Sequence, residues 1–457
     1  MLRFVRSGSA ANLGLEALAV AVLGGVVFGG AVFGGAVGHA WAGDWMRFRG
    51  PDGTGVAPQA SLPLTWSETE NLAWRTELPG AGASSPIIVG NRVFVTCYLG
   101  PVRDDAAADA AENPSTASGV TRQLVCVDRS RGDILWSRTV EAAPPEDEYE
   151  GFITEHGFAS NTPTSDGERV YVFYGKAGVL AYDLDGNELW RVGVGTESSS
   201  RRWGSAASLL LVDDLVIVNA AEESQSVRGL DKRTGEEIWK SDAASLELAY
   251  STPALVNAGG RRELVVLVPG EVWGMAPETG KLVWFAETGV GGTVCPSPVV
   301  NDDVVYLFGG RRPAASLAVR CGGEGDVTDM NVLWSTANSS YVATPIYHEG
   351  HLYWIDDRGT AFCISAESGE VVYRERVPQL GSGGRPVYAS PVLANGRLIV
   401  PSRWEGVFVL PAGPKFEVLA QNHFASDPSD FNATPAVGGD DMMIRSDRYL
   451  YCVRKQP

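Results

Sequence analysis

Ser390-Pro391-Val392-Leu393, a hydroxyl residue and a proline followed by an apolar run, is the stretch that decides the fold. This Ser/Thr-Pro anchor occurs seven times, and an eighth copy has leucine in place of the proline. The copies are Ser85-Pro86, Thr162-Pro163, Ser208-Leu209, Thr252-Pro253, Ser297-Pro298, Thr344-Pro345, Ser390-Pro391 and Thr434-Pro435. From Pro163 onward they are spaced by 44 to 47 residues. A period of this length indicates a repeat architecture.

Each repeat has the pattern of four short strands separated by turns. In the sixth repeat the strands are expected at 344–347, 352–355, 361–365 and 371–373, with Gly, Asn and Asp in the turns. A tryptophan recurs on the outer strand, after a turn that usually ends in glycine. These tryptophans are Trp136, Trp190, Trp239, Trp284 and Trp334. One ring in the same place of each repeat is typical of packing between neighbouring units.

The repeat count predicts how the chain closes on itself. The eighth repeat ends after three strands at Val453, whereas the segment from Asn71 to Arg75, with Trp74, has the pattern of a fourth strand but precedes the first anchor. Pairing this segment into the last repeat removes two exposed sheet edges. The sequence therefore predicts an all-β, eight-bladed β-propeller of four-stranded blades, closed by an N-terminal strand.

The first 42 residues have the pattern of a signal peptide. Arg3 and Arg6 precede an apolar stretch over 17–37, and Ala40-Trp41-Ala42 matches a cleavage site. Cleavage after Ala42 would leave one propeller domain, residues 43–457, in the periplasm or outside the cell. The alternative is a retained membrane anchor, since about 20 apolar residues can span a bilayer.

Composition excludes some partners and sites. The net charge of -18 disfavours nucleic acid as a partner. The six cysteines form no Cys-x-x-Cys pair, and three of them share one repeat position (Cys126, Cys363 and Cys452), so buried free thiols are expected. No metal site is predicted. The segment His348-Glu349-Gly350-His351 falls on a hairpin turn, and Asp183-Leu184-Asp185-Gly186-Asn187 lacks the glutamate that ends a calcium loop.

Two insertions interrupt the first blade and its link to the second. Residues 100–121 are rich in Ala, Asp, Pro and Ser, and residues 143–158 are acidic. Both are expected on the face where the loops that enter each innermost strand converge. They could cap a site there or be solvated decoration.

The same loop face carries the candidate ligand- or partner-binding residues. Aromatic rings precede six of the anchors: Phe158, Trp203, Tyr250, Tyr341, Tyr388 and Phe431. Charged and further aromatic residues occupy the neighbouring loops: His156, Lys176, Arg202, Glu223, Glu271, Arg311, Asp357, Arg358, Arg385, Arg403, Trp404 and Asp430. Aromatic rings could pack between blades, and charged loop residues could be merely solvated. Their convergence on one concave face makes it the default binding-site hypothesis.

The repeat consensus, Ser-Pro, an apolar hairpin, Leu-x-x-Leu-Asp-x-x-Thr-Gly and Trp, resembles the PQQ-like (quinoprotein-type) propeller repeat from about Trp66 to Val453. Three segments, 48–53, 203–208 and 269–274, resemble exported propeller proteins of planctomycete-type bacteria. The resemblance implies one of two better-known activities. Quinoprotein alcohol dehydrogenases hold the quinone and calcium, commonly beside an adjacent Cys-Cys pair that this chain lacks. BamB-like proteins are binding scaffolds, with a lipid-bearing N-terminal cysteine that is also missing here.

We therefore expect an exported, non-catalytic scaffold that binds a protein, peptide or other ligand at the loop face, without a catalytic residue or a cofactor. Its partner is expected to be an envelope protein, a small ligand or a glycan, and the protein itself to be a monomer. The alternatives are a PQQ- and calcium-dependent dehydrogenase with a reduced site, and a carbohydrate-binding envelope module.

Overall fold

Eight β-sheets, six with four strands and two with a short fifth strand, form the framework of the described part of the chain. The structure is a computed structural model, and it describes residues 43–100, 119–143, 145–311, 313–381 and 383–456. The predicted signal peptide and almost all of the first insertion lie outside these residues. The strands are, in chain order, β1 (Val56–Ala57), β2 (Leu72–Glu77), β3 (Ile87–Val89), β4 (Arg92–Leu99), β5 (Thr121–Asp128), β6 (Ile134–Glu141), β7 (Thr164–Ser165), β8 (Arg169–Phe173), β9 (Val179–Asp183), β10 (Glu188–Val192), β11 (Leu210–Val212), β12 (Leu215–Ala220), β13 (Ser226–Asp231), β14 (Glu237–Asp242), β15 (Ala254–Ala258), β16 (Arg261–Val268), β17 (Glu271–Met275), β18 (Leu282–Glu287), β19 (Val299–Asn301), β20 (Val304–Gly309), β21 (Ala315–Arg320), β22 (Gly325–Asp326), β23 (Val332–Thr336), β24 (Ile346–His348), β25 (His351–Ile355), β26 (Thr360–Ser365), β27 (Val371–Arg376), β28 (Val392–Ala394), β29 (Arg397–Pro401), β30 (Val407–Pro411), β31 (Ala420–Asn422), β32 (Ala436–Gly438), β33 (Asp441–Arg445) and β34 (Tyr449–Arg454).

Within the residues that the structure describes, helical structure is limited to short turns in the connections. Three single-turn helices are α1 (Ile153–His156), α2 (Ala221–Ser224) and α3 (Thr328–Asn331), and two 3-10 turns are Gly175–Ala177 and Ala244–Leu246. All of these except α3 lie in connections on the loop face described below. None of the helices in the described ranges is long and apolar enough to cross a membrane.

The blades follow one another along the chain as the repeat predicts. Blades one to three are β3–β6, β7–β10 and β11–β14; blade four is β15–β18 with β22 added at its outer edge; blade five is β19–β21 with β23; blade six is β24–β27; and blade seven is β28–β31 with β1 on its inner edge. Blade eight is β32–β34, and its fourth strand is β2. Within β2, Trp74 pairs with Cys452 of β34. The eight-bladed propeller and its closure by an N-terminal strand are confirmed.

In five blades the recurrent tryptophan bonds its outer strand to the next blade, whereas Trp284 donates its indole N–H to Glu263 of its own blade. Trp239 in blade three donates its indole N–H to the carbonyl oxygen of Pro277, in the turn between β17 and β18, at 3.0 Å. Gly280 ends that turn with φ +66°, and a Cβ placed on it would lie 2.2 Å from the Trp239 ring. The turn therefore needs glycine for both its backbone conformation and its contact. The predicted packing role of the tryptophan is confirmed.

The anchor hydroxyls have a structural role that periodicity alone did not reveal. In seven of the eight anchors the hydroxyl accepts a hydrogen bond from the backbone N–H of the anchor residue in the preceding blade, whereas Ser85 takes part in these bonds through its N–H. Seven such bonds of 2.9–3.2 Å join, in order, Ser85, Thr162, Ser208, Thr252, Ser297, Thr344, Ser390 and Thr434. We call these eight residues the hydroxyl belt. The degenerate anchor keeps its hydroxyl although it has lost its proline, because the belt uses the hydroxyl.

The six thiols lie apart. Cys126, Cys363 and Cys452 are buried in the third strands of their blades, as their shared repeat position predicts. Cys97 and Cys321 are also buried, and Cys295 is half-buried at the channel.

Candidate functional site

The central channel is filled on one side of the belt by an N-terminal segment. Met46 accepts a hydrogen bond from the backbone N–H of Ser165 at 2.8 Å, and β1 pairs in parallel with β28. Between them, the buried Arg49 donates to the carbonyl oxygens of Thr344 and Pro345 at 2.9 and 2.8 Å. Residues 45–57 thus run along the inner edges of the innermost strands. These residues pair with the innermost strands on the side of the anchors away from the loop face. They therefore close the channel on that side and form its floor.

The remaining space is a cavity of about 180 Å³ that we call the pit. Phe48 lines it from the floor segment, and the hydroxyl belt forms its wall. Its rim consists of Phe152, His156, Trp203, Tyr250, Tyr341 and Tyr388. No Asp, Glu, Lys or Arg of the described residues lines it. Because each belt oxygen that receives an N–H still has its own hydrogen to donate, the wall presents uncharged donors to the pit.

Aromatic contacts hold the rim. Trp203 stacks on Tyr250 with ring centroids 5.8 Å apart, and Phe152 packs on Trp203 at 4.2 Å. The Arg385 guanidinium lies 4.3 Å from the Phe152 ring centroid and donates to the Tyr388 hydroxyl at 3.0 Å. Aromatic rings held in this way offer a rigid apolar surface with polar tips.

The acidic second insertion lies over the mouth of the pit. We call residues 145–158 the strap. Its Glu146 pairs with Arg122 at 2.6 Å, and its Asp147 pairs with Lys176 at 3.1 Å. Both pairs are almost completely buried. The insertion is therefore packed against the loop face, and its Phe152 and His156 line the pit.

Arg403 anchors the far end of the strap. This side chain is 1 % exposed and forms ion pairs with Glu155 of α1 and with Asp430. Trp404 donates its indole N–H to Asp430 at 2.7 Å, and Asn432 donates to the carbonyl oxygen of Glu155 at 2.8 Å. The strap thus connects blade two to blades seven and eight across the pit. Since both ends are tied by buried charges, it is part of the folded surface.

A small polar pocket lies under the strap, between blades two and three. We call it the strap pocket; it measures about 20 Å³ and is lined by Arg122, Lys176, Glu222 and Glu223 among others. Burial, followed by the charge of Glu222, raises the pKa of Glu223 to about 8. Burial also raises the pKa of Glu222. One carboxylate oxygen of each has no hydrogen-bond partner among the described atoms, which favours the protonated form.

Two other groups near the mouth have shifted pKa values. Burial lowers the pKa of His156, whose Nδ1 lies 2.6 Å from the Ser160 hydroxyl, so its imidazole is neutral at neutral pH. Burial and the neighbouring Asp430 raise the pKa of Asp447 to about 7. Shifts of this kind mark candidate functional sites, although structural ion networks also produce them.

The structure brings most of the predicted residues together around this mouth. His156, Trp203, Tyr250, Tyr341 and Tyr388 line the pit; Arg385, Arg403, Trp404 and Asp430 surround it; Lys176 and Glu223 line the strap pocket; and Arg311, Asp357 and Arg358 line a groove beside the rim. The others are placed differently. Phe158 and Phe431 pack in apolar clusters, Arg202 is exposed, and Glu271 accepts the indole N–H of Trp273 at 2.7 Å.

Sequence reasoning missed three residues of the mouth, Phe152, Glu155 and Arg122. The first two belong to the second insertion, where an aromatic residue among acidic ones was the available signal. Within the described ranges, no group of three or more His, Cys, Asp or Glu side chains is placed to hold a metal ion.

Comparisons with known proteins establish the family. The family model described as outer membrane protein assembly factor BamB matches residues 105–224 and 223–339, more than half of the chain. The chain belongs to this BamB-type family. Among curated relatives of this BamB-type chain, BamB of Yersinia pestis is 24 % identical over 334 residues, covering 70 % of this chain and 76 % of that protein. Tetrathionate hydrolase of Acidithiobacillus ferrooxidans is 19 % identical over 373 residues, covering 76 % and 68 %.

Solved structures similar to this BamB-type chain share its fold. BamB from Moraxella catarrhalis superposes with a TM-score of 0.53 at 15 % identity, covering 78 % of this chain and 97 % of that one. Quinohemoprotein alcohol dehydrogenase from Comamonas testosteroni superposes with a TM-score of 0.56 at 10 % identity, covering 92 % and 82 %. At these identities the likeness concerns architecture, and function has to be argued from the site.

The lining of the pit does not fit pyrroloquinoline quinone held with calcium. That cofactor carries several carboxylates, which need cationic partners, and calcium prefers carboxylate oxygens. The described lining residues are aromatic, hydroxyl-bearing or small, with His156 and Cys295 as the groups nearest to metal ligands. The nearby cations Arg403 and Lys176 are already paired with carboxylates of this chain. We derive no reaction step through the quinone.

Proposed function

We propose that this BamB-type chain is an exported propeller scaffold of the cell envelope that binds a partner at the loop face around the pit, without catalysing a reaction. The single observation that carries this proposal is the rigid, aromatic-rimmed pit in a face whose charges are organised by the strap. The family description supports an envelope setting, since it names an outer membrane protein assembly factor. The partner would be an envelope protein.

Enzymes also occur among the relatives, so the proposal depends on the chemistry of this site. The pit offers hydroxyl donors and aromatic rings, but the described lining has no carboxylate to act as a general base. Its histidine, His156, is half-buried, and its Nδ1 lies within hydrogen-bond distance of the Ser160 hydroxyl. The dehydrogenase alternative is tested by adding pyrroloquinoline quinone and calcium to the purified protein. A stoichiometric, calcium-dependent complex that reduces an electron-accepting dye would overturn the scaffold proposal.

Site-specific photo-crosslinking tests the binding role directly. Arg202 and Arg358 are exposed at the loop face, whereas Arg131 is exposed on the opposite face, in the turn between β5 and β6. Benzoylphenylalanine placed at Arg202 or Arg358 should give a discrete adduct with an envelope protein in cells, and the same group at Arg131 should not. The adduct should form again with the purified partner. Equal labelling from both faces, or no adduct from either position, would contradict the proposal.

A second candidate function is the binding of a neutral glycan, which the pit itself favours. Sugar rings stack on aromatic side chains and exchange hydrogen bonds with hydroxyl groups, and the pit offers both without a charged side chain among its described lining residues. Titration with neutral oligosaccharides followed by tryptophan fluorescence should then detect binding. Substituting Trp203→Ala should abolish it, whereas Trp404→Ala, outside the pit, should not. Unchanged fluorescence at millimolar sugar would exclude this candidate.

A further inference from the structure

A second recess adjoins the pit, and Phe152 of the strap lies between the two. It consists of two cavities of about 420 and 260 Å³ that share Arg311 and Tyr341, and the larger one also shares Phe152, Trp203 and Tyr341 with the pit. We call this recess the arginine groove. It crosses the loop face over blades four to six.

Four arginines line the groove: Arg201 and Arg311 in the larger cavity, and Arg311, Arg358 and Arg374 in the smaller one. All four are exposed, and none forms an ion pair with a carboxylate of the described residues. By contrast, exposed arginines of the opposite face are paired. Arg131, for example, pairs with Asp133 at 2.7 Å. In a protein with a net charge of -18, unpaired cations in one recess are a local reversal of charge.

Two carboxylates, Asp356 and Asp357, also line the groove, and Asp357 interacts electrostatically with Arg358 and Arg311, so they offset part of the charge of the four arginines. Asp356 accepts the backbone N–H groups of Arg358 and Thr360 at 3.0 and 2.8 Å, and Asp357 lies 3.9 Å from the Arg385 guanidinium. Both therefore have partners outside the four arginines. The groove keeps an excess of positive charge facing the solvent, where it can attract and orient an anionic partner.

The walls of the groove suit an extended peptide. Gly291 and Gly292 line the larger cavity and Gly310 the smaller one, and a Cβ on Gly292 would meet nothing within 4 Å. Small wall residues let a main chain approach closely, and the half-buried Asn338 offers its side-chain amide beside it, whereas the hydroxyls of Ser339 and Ser340 are bonded within the chain. Trp203, Tyr341 and Phe362 provide apolar contacts for alternate side chains.

We propose that the arginine groove binds an extended acidic segment of a protein partner, with carboxylates of the segment paired to Arg201, Arg311, Arg358 and Arg374. This inference rests on the proposed binding role of the loop face and adds the chemistry of the partner. The strap supports the assignment, because its own acidic side chains are held by Arg122, Lys176 and Arg403 at the neighbouring part of the same face.

The test uses a fluorescein-labelled octapeptide of alternating glutamate and leucine, with a glutamine-leucine peptide as the neutral control. Anisotropy should show binding of the acidic peptide only, weakening as salt rises from about 50 mM to about 500 mM. The variant R201Q/R311Q/R374Q should weaken binding by roughly tenfold or more. The matched variant R131Q/R233Q/R397Q removes the same charge from the opposite face and should change it less than about twofold.

Several outcomes would overturn the inference. Equal binding of both peptides, equal loss in both triple variants, or binding of polygalacturonate in place of the acidic peptide would each do so. All substituted arginines are exposed or half-buried, so unchanged melting curves should confirm folding. Crosslinking from Arg358 in the R201Q/R311Q/R374Q variant separates the two proposals. If the adduct persists in this variant, the loop face binds a partner without the arginine groove, and only the groove proposal fails. If no adduct forms even when Arg201, Arg311 and Arg374 are intact, the proposed binding function of the loop face fails.

Discussion

Replacing Glu223 with glutamine should change how the stability of the protein depends on pH. Glu223 is 2 % exposed in the strap pocket, and its Oε2 has no hydrogen-bond partner among the described atoms. Burial and the charge of Glu222 raise its pKa from 4.5 to about 8. Glutamine has nearly the same shape and no charge, so it imitates the protonated acid across the whole pH range.

The direction in which the free energy of unfolding changes with pH follows from the protons bound by the folded and unfolded states. Between about pH 4.5 and about pH 8 the folded protein keeps the Glu223 proton while the unfolded chain has lost it, so the free energy of unfolding falls as pH rises. The slope is about 1.4 kcal/mol per pH unit, and the whole loss is at most about 5 kcal/mol. The stabilisation that protonated Glu223 gives relative to its ionised form is fully present below about pH 4.5 and is lost above about pH 8. We expect the E223Q variant to match the wild type at about pH 4.5 and to exceed it by at least about 2 kcal/mol at about pH 8.5.

Urea unfolding followed by tryptophan fluorescence at several pH values measures this difference. Glu247→Gln is the control of opposite sign, because hydrogen bonds from Ser200 lower the pKa of the exposed Glu247. Its contribution is lost as pH falls, so this variant should show no gain above pH 5. If the E223Q and wild-type free energies stay parallel from pH 5 to pH 8.5, Glu223 is not held in the protonated form and the reasoning is wrong.

Three further changes test the repeat and the strap. Gly280→Ala should lower the free energy of unfolding by about 2 kcal/mol or more, because its Cβ would overlap the Trp239 ring and its φ is positive, and thermal melting would detect this; a loss below 0.5 kcal/mol would contradict the contact. Thr252→Val should cost about 1–3 kcal/mol in urea unfolding by leaving a buried backbone N–H of the hydroxyl belt without its acceptor, and a neutral effect would show that the belt does not contribute. Glu155→Gln should loosen the strap by removing one carboxylate from the buried Arg403, increasing amide hydrogen exchange in residues 145–158 while leaving β-strand protection unchanged; unchanged exchange would refute the anchoring role.

The repeat could be predicted from sequence because its determinants are local. An anchor and three turns per unit, with a tryptophan on the outer strand of six of the eight blades, fix the four strands, and this pattern recurs around the ring. The N-terminal floor segment carries no such pattern. Its position depends on contacts such as that between Arg49 and Thr344, which are 295 residues apart in the chain. A single sequence does not show such pairings, so the blind end of the channel emerged only from the structure.

In the aromatic rim, the type of the residue as well as its position before the anchor decides whether its ring lines the pit. Phe431 and Tyr341 both lie three residues before their anchors, yet Tyr341 lines the pit while Phe431 stacks near Phe424 and Tyr451. Phe158 likewise leaves the rim for an apolar cluster. The two phenylalanines have no polar atom to satisfy at the surface, whereas the Tyr341 hydroxyl lies 3.3 Å from that of Thr293. Tyrosine and tryptophan suit a rim that is apolar on one side and polar on the other. The chemistry of the ring, considered with its position, would have separated these two groups.

The distribution of charge gives the loop face two parts. On the strap side, Arg122, Lys176 and Arg403 are nearly buried and bound to carboxylates of the chain itself. Breaking such a buried pair leaves an uncompensated charge and costs several kcal/mol, so an incoming anion gains little there. On the other side the groove arginines are exposed, and pairing them costs little desolvation. An acidic partner should therefore approach over blades four to six with the strap still in place, so that binding in the groove and access to the pit are separable properties of one face.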